Sequence, residues 1–253
     1  MATGKPVVLF VHGAWHSPGH YKSLIASLQQ AGYIVLAPQL ATAGPDDSII
    51  GKSISDDVAR LSEAASSHLD GGREIVVVAH SYGGIPATQF CEGRSVSDRA
   101  AQGLKGGVRA VVYICSYAPT EKGKSLMDYD PVGDFFDIDG EKGLAVPHRL
   151  AIERFYKADI PDTQTQDSLY NHLGNQSTPS FSTGITFGAA DIAVPKTYVL
   201  CTRDSAILAK WQRVMAEGAS ARILEIDAGH SPFLVENHVK KLVEVIGVAA
   251  GQE

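Results

Sequence analysis

Cysteine is scarce in this chain. Three residues of 253, Cys91, Cys115 and Cys201, lie far apart in apolar surroundings. That excludes a disulfide-stapled secreted framework and reads as reduced, buried thiols. Positive charge is not in excess either, with 22 Lys and Arg against 28 Asp and Glu and no basic cluster, so no nucleic-acid partner is expected. No apolar run is long enough to cross a bilayer. The first residues, Met1 to Pro6, lead straight into Val7–Val11 without the apolar core or cleavage site of a signal peptide, and the expected location is cytoplasmic. No Gly-Lys-Ser/Thr follows a strand and no G-x-G-x-x-G precedes a helix, which argues against a phosphate or dinucleotide site. Internal repeats and low-complexity tracts are also missing. What is present is ordinary soluble composition: 44% hydrophobic, 20% charged, formal net charge −6. The length suits one α/β domain with an insertion, or two small domains, and is enough to bury a large core.

Strand-like and helix-like segments alternate. Strands are expected at Val7–Val11, Tyr33–Ala37, Ile75–Ala79, Val108–Cys115, Lys196–Cys201 and Arg222–Ile226. Helical spacing marks His20–Ala31 through Leu24, Ile25 and Leu28, and Ser53–Leu69 through Ile54, Val58, Leu61 and Ala65. Near-continuous Val/Ile/Leu strands between helices imply a mostly parallel sheet covered on both faces. The alternation breaks from about Thr120 to Ile192, where no convincing buried strand is found. Helices are expected there near Pro147–Ala158 and Thr163–Leu173, beside Phe135, Phe136, Phe155, Tyr156, Tyr170, Phe181 and Phe187. So long a segment is more than a loop. The expected division is a core of 1–119 and 193–253 with a small, mainly helical cap at 120–192, laid over the strand ends where α/β ligands bind. Most of its aromatic residues are expected to glue cap to core rather than to touch substrate.

The richest stretch is Ile75-Val76-Val77-Val78-Ala79-His80-Ser81-Tyr82-Gly83-Gly84. It reads as a buried strand, a sharp turn with Ser81 at its tip, then a helix. This is the strand–nucleophile–helix elbow G-x-S-x-G with Ala79 in the first glycine position. Small residues are needed on both sides because strand and helix nearly touch. Serine and glycine also fill such turns for capping reasons alone, so the elbow needs partners. Acyl transfer requires a base beside the serine and a carboxylate to orient that base. His230 follows the last strand, in Gly229-His230-Ser231-Pro232-Phe233, where Gly229 lets the loop turn back over the strand ends. Asp204 follows the penultimate strand; it would also serve as the cap of a helix over Ala206–Glu217, and Asp227 and Asp191 are rivals. Ser81, Asp204, His230 is the order nucleophile, acid, base. Two backbone N–H groups should receive the oxyanion: Tyr82, at the start of a helix, and Ala14, in the loop after the first strand, where Gly13 allows close approach. His12, His16 and His20 recur every four residues, but Gly13, Pro18 and Gly19 deny that stretch a helix and no acid or thiol joins them. No metal is expected, and His12 is expected to stabilise the loop. His80, at the variable position of the elbow, is expected to point away from the cleft.

Together these motifs resemble the α/β-hydrolase superfamily over nearly the whole length, and within it the branch of plant methylesterases, hydroxynitrile lyases and microbial esterase relatives. The likeness rests on Val11-His12-Gly13-Ala14-Trp15-His16, Tyr21-Lys22-Ser23-Leu24, Ala31-Gly32-Tyr33, the Ala79–Gly84 elbow, Arg154-Phe155-Tyr156, Tyr198–Asp204 and Gly229–Phe233. It implies a triad of Ser81, Asp204 and His230, with the Ala14 and Tyr82 amides as oxyanion hole. The lyases of the branch carry lysine after the histidine and threonine after the first-strand histidine; here Ser231 and Gly13 stand there. Without that lysine to accept cyanide, the expectation is a cofactor-free serine hydrolase of a small or medium carboxylic ester. A thioesterase or lactonase, a lyase or cyclase using Ser81 and His230 as proton shuttle, and a non-catalytic ligand receptor are the alternatives. The substrate and the choice between monomer and homodimer are left open.

Overall fold

A computed structural model of the chain describes residues 4–129 and 133–252. Its first half runs β1 (Val7–Val11), α1 (Lys22–Gln30), β2 (Val35–Leu36), β3 (Ala43–Gly44), α2 (Ile54–Asp70), β4 (Glu74–His80), α3 (Gly84–Phe90), α4 (Val96–Ala101) and β5 (Gly107–Ile114). There follow α5 (Leu126–Tyr129), β6 (Phe136–Asp139), β7 (Leu144–Pro147), α6 (Leu150–Phe155), α7 (Thr163–Asn171), β8 (Asn175–Ser177) and α8 (Pro179–Ser182). The chain closes with β9 (Lys196–Cys201), α9 (Ala209–Gly218), β10 (Arg222–Ile226) and α10 (Glu236–Ala249).

Six strands form one parallel sheet in the order β10-β9-β5-β4-β1-β2. The strand side chains alternate between two cores, as period-two geometry requires. Val7, Leu9 and Val11 pack with Leu61, Ala65 and Leu69 of α2 and Ile85 and Phe90 of α3. Val8 and Phe10 pack on the other face with Leu24 and Leu28 of α1 and Val239, Leu242 and Ile246 of α10. Both faces are therefore covered, which is why the strands read as continuous apolar runs. The expected strand at Tyr33–Ala37 shrinks to Val35–Leu36, an edge strand that pairs only with Val8 and Leu9. The three cysteines are free and buried, and burial pushes the Cys91 thiol up to about 12.

Segment 120–192 differs from expectation in one respect. It has the two expected helices, as α6 and α7, but also β6, β7 and β8, which join β3 in an antiparallel sheet ordered β3-β8-β7-β6. These strands are three or four residues long and partly exposed, too short for an apolar period to stand out. A turn closes the β6–β7 hairpin: Asp139 Oδ1 accepts the amides of Glu141 at 3.0 Å and Lys142 at 3.1 Å. Because β3 precedes α2, the second sheet ties this segment back to the first half of the chain. Among the described residues no helix is long and apolar enough to cross a membrane.

Candidate active site

Ser81 sits where β4 ends and the turn into α3 begins, with a left-handed φ of 52°. For a residue with a Cβ that conformation costs about 1–2 kcal/mol. It is held by two bonds to the Ser81 carbonyl, from the Tyr117 amide at 3.0 Å and the Ser116 hydroxyl at 2.7 Å. The small residues around it have a concrete cause. A Cβ on Gly83 would stand 2.5 Å from the carbonyl oxygens of Val11 and His12, and one on Gly84 would overlap the Tyr117 carbonyl.

His230 Nε2 lies 3.0 Å from Ser81 Oγ, and His230 Nδ1 lies 2.8 Å from Asp204 Oδ2. The side chains of His230 and Asp204 are only 1% and 0% exposed. Asp204 is fully satisfied: Oδ1 accepts the amides of Ala206 at 2.7 Å and Ile207 at 2.9 Å, and Oδ2 also accepts from Gln212 Nε2 at 3.0 Å. Its turn-capping and imidazole-orienting roles are thus carried by different oxygens of one carboxylate. The rivals lie elsewhere. Asp227 is exposed and paired with Arg203, and Asp191 pairs with Lys122.

Ala14 and Tyr82 both border the cavity in front of Ser81. Tyr82 stands in the first turn of a helical segment, where amides have no intrahelical acceptor. A Cβ on Gly13 would stand 3.1 Å from the Ser81 Cβ and 3.0 Å from His80 Nδ1, so only glycine brings this loop against the elbow without displacement. The peptide joining Gly13 to Ala14 is held through its carbonyl, 2.8 Å from His12 Nδ1, while His12 Nε2 accepts the Leu40 amide at 2.9 Å. In a trans peptide N–H and C=O point opposite ways, so this bond also fixes the direction of the Ala14 N–H. Burial holds the His12 ring down to about 4, and it holds His16 and His80 well below their ordinary value, so all three stay neutral.

Several residues that escaped sequence reasoning support this arrangement. His80 stays out of the cavity as expected, yet it is buried between Tyr21 Oη, 2.8 Å from Nδ1, and the His230 carbonyl, 2.8 Å from Nε2. Tyr21 Oη in turn accepts the Gly13 amide at 3.0 Å. Asp159 grips the loop on both sides of His230, accepting the amides of Gly229 at 2.7 Å and Ser231 at 2.8 Å. Gly229 is small because a Cβ there would stand 2.6 Å from the Ala158 Cβ. Phe155 stacks on the His230 ring, centroids 5.4 Å apart. Among the described residues the one metal-like grouping is His80, Cys115 and His230. Both nitrogens of each histidine there are already hydrogen-bonded, and the Cys115 thiol faces the His230 carbonyl. Rearrangement would be needed to free them for a metal.

The cavity measures about 280 Å3 and is walled by Trp15, Leu126, Met127, Phe135, Phe136, Ile138, Phe155, Phe181, Ala206 and Ile207. Among the described residues its polar lining is Ser81, Tyr82, Tyr117, Thr178, Ser182 and His230, with no acidic side chain, lysine or arginine. Ser231, where the lyases of the resembling branch have lysine, is fully buried and is not among the cavity residues.

Residues 8–245 match the Alpha/beta hydrolase family. The chain is 27% identical to Alpha/beta hydrolase nvfD of Aspergillus novofumigatus over 267 aligned positions, covering 98% of each chain. It is 34% identical to the Carbendazim hydrolyzing esterase of Nocardioides sp. over 124 positions, 47% of this chain and 45% of that one. In fold it is similar to a pyrethroid hydrolase from Sphingobium faniae JZ-2, with a TM-score of 0.74, 18% identity and 97% coverage of both chains.

Proposed function

The chain belongs to the alpha/beta hydrolase family, and from that premise we propose that it is a serine esterase acting on a neutral, apolar carboxylic ester. One observation carries the reading: Ser81 Oγ, His230 Nε2 at 3.0 Å and Asp204 Oδ2, 2.8 Å from His230 Nδ1, form one hydrogen-bonded chain, and Ser81 and His230 border an aromatic-walled cavity with no acidic, lysine or arginine side chain among its described lining residues. His230 takes the Ser81 proton as Oγ attacks the ester carbonyl, and the Ala14 and Tyr82 amides receive the oxyanion. The imidazolium then protonates the departing alcohol. Water attacks the acyl-enzyme, giving its proton to His230, and Ser81 and the acid are released. Asp204 keeps the proton on Nδ1 before attack and stabilises the imidazolium after it. Residues 1–119 and 193–253 act as the core and 120–192 as the cap that encloses the acyl or alkyl group.

The test is turnover of p-nitrophenyl esters together with phosphonate labelling. Ser81→Ala is expected to lose several orders of magnitude in kcat and all stoichiometric labelling. Unchanged turnover in that variant would overturn the reading. An ester carrying a carboxylate on its acyl chain should be turned over at least 100-fold less efficiently than its neutral isostere, because none of the described residues lining the cavity is a lysine or arginine. Thioesters and lactones in the same panel separate the related acyl transfers.

A further inference from the structure

Gln176, in β8, is buried without exposure and far from Ser81 in sequence, yet its amide is engaged on both ends. Its Oε1 accepts the Trp15 amide at 3.2 Å, and its Nε2 donates to Thr42 Oγ1 and Ser180 Oγ, both at 2.8 Å. The chain of bonds continues. Thr42 Oγ1 donates to Asp57 Oδ2 at 2.7 Å, and the same carboxylate oxygen accepts from Tyr82 Oη at 2.7 Å. Each donor meets an acceptor in one direction, Gln176 to Thr42 to Asp57, which fixes the Gln176 amide orientation. One end of this network holds Trp15, which follows Ala14 and has a left-handed φ of 61°. The other end holds Tyr82.

Further restraints on Trp15 come from segment 120–192, directly or through His16. The Trp15 indole N–H donates to the Ala145 carbonyl in β7 at 2.9 Å, and the Gly174 amide donates to the Trp15 carbonyl at 2.8 Å. The Ala14 carbonyl, in the peptide that carries the Trp15 N–H, accepts from His16 Nδ1 at 2.7 Å, and His16 Nε2 is 3.0 Å from the Tyr156 hydroxyl. The peptide between Ala14 and Trp15 is therefore clamped at both its N–H and its C=O.

We propose that Gln176 is a positioning residue for the oxyanion site: through the Trp15 amide on one side and Thr42, Asp57 and Tyr82 on the other, it sets the spacing of the Ala14 and Tyr82 donors. The proposal rests on the esterase reading above. The small antiparallel sheet is, on this account, part of the catalytic scaffold as well as a wall of the cavity. Such a residue contacts no substrate, so its loss should act on the transition state and leave substrate binding alone.

The experiment compares Gln176→Met, which keeps length and removes both polar ends, with Tyr82→Phe, which removes one hydroxyl, and with the double variant. Rates are normalised to sites titrated with a phosphonate. Gln176→Met is expected to lower kcat about 10–100-fold with KM within about threefold, less than the roughly 10²–10³ of deleting a donor outright. The inhibition constant of a trifluoromethyl ketone, whose hemiketal oxygen occupies the oxyanion position, should weaken in parallel with kcat/KM. The double variant should be little worse than the more affected single variant, because both cut one network. Unchanged kcat per titrated site, an effect confined to KM, or full additivity would each overturn the proposal. If Gln176→Met does not fold, Thr42→Val cuts the same chain one bond further on and is judged by the same criteria. Failure of the esterase reading is distinguishable, because wild-type protein would then neither label nor turn over esters, and the proposal would fall with it.

Discussion

Replacing Asp204 with asparagine should nearly abolish activity while leaving the fold in place, and the hydrogen bonds say why. Asparagine offers one oxygen and one NH2 where aspartate has two oxygens. Oδ1 of Asp204 accepts two backbone amides, Ala206 at 2.7 Å and Ile207 at 2.9 Å, so the asparagine oxygen is held there. The NH2 then falls at Oδ2, 2.8 Å from His230 Nδ1 and 3.0 Å from the donor Gln212 Nε2, which must give way and is still held by the Ile207 carbonyl at 2.6 Å. An NH2 group only donates. The imidazole must turn Nδ1 into an acceptor and carry its proton on Nε2, where it faces Ser81 Oγ at 3.0 Å. That tautomer has no lone pair with which to take the serine proton. Loss of the productive tautomer in an otherwise intact serine–histidine–aspartate site costs about 10⁴ in kcat, or about 5.4 kcal/mol of barrier. The assay is kcat and KM on a p-nitrophenyl ester, beside a thermal unfolding curve showing intact folding. Retention of more than about a tenth of wild-type kcat in D204N would refute the claim that Asp204 sets the tautomer.

Asp159→Ala removes the carboxylate that holds the amides of Gly229 and Ser231, so it should lower kcat at least about tenfold and destabilise the fold by about 2–4 kcal/mol; steady-state kinetics with a melting curve checks both, and wild-type kcat would contradict the role. Stability should also fall in acid below about pH 6.5. His12 is held down to about 4 in the fold, with His16 and His80 also well below their ordinary value, whereas the unfolded chain protonates all three near 6.5; their contribution is complete above that pH and is lost as pH falls. Asp57, raised to about 6 by burial, works the other way, its contribution disappearing as pH rises through that value, and it offsets about one of the three protons. The three histidines outnumber the one carboxylate, so stability is expected to fall as pH drops from 7 to 5, and urea midpoints that stay flat over that range would contradict it.

Local chemistry was legible in the sequence and long-range chemistry was not. The strands Val7–Val11, Lys196–Cys201 and Arg222–Ile226 match expectation residue for residue: the first is an unbroken buried apolar run, and the other two carry short apolar stretches between helical segments. Ser81, Asp204 and His230 stand out in the sequence because each follows a strand in its own neighbourhood, and the parallel sheet brings such ends to one edge, where their side chains meet at 3.0 and 2.8 Å. The β6–β7–β8 sheet was missed because its strands are too short to carry a period. Asp159, Gln176 and the His80–Tyr21 pair were missed for a different reason. Each acts on a partner scores of residues away, and nothing adjacent to them in the chain reports it.

The signal for those residues was nevertheless present, displaced onto their partners. Gly229 looked like a glycine that frees a loop, but its φ is not left-handed; what it supplies is room for Ala158 and Asp159. Gly174 likewise lies against Gly44, where a Cβ would stand 2.7 Å from the Gly44 carbonyl, and the close approach lets its amide reach the Trp15 carbonyl. Gly13 makes room for Ser81 and His80. These glycines therefore mark three close approaches, and segment 120–192 takes part in two of them, at Gly229 and at Gly174. A lid that merely covered a finished site would have no reason to approach its backbone so closely. The approach is what one expects where segment 120–192 holds the His230 loop through Asp159 and the Ala14–Trp15 peptide through Gln176. Substitutions there should then alter rate as well as specificity.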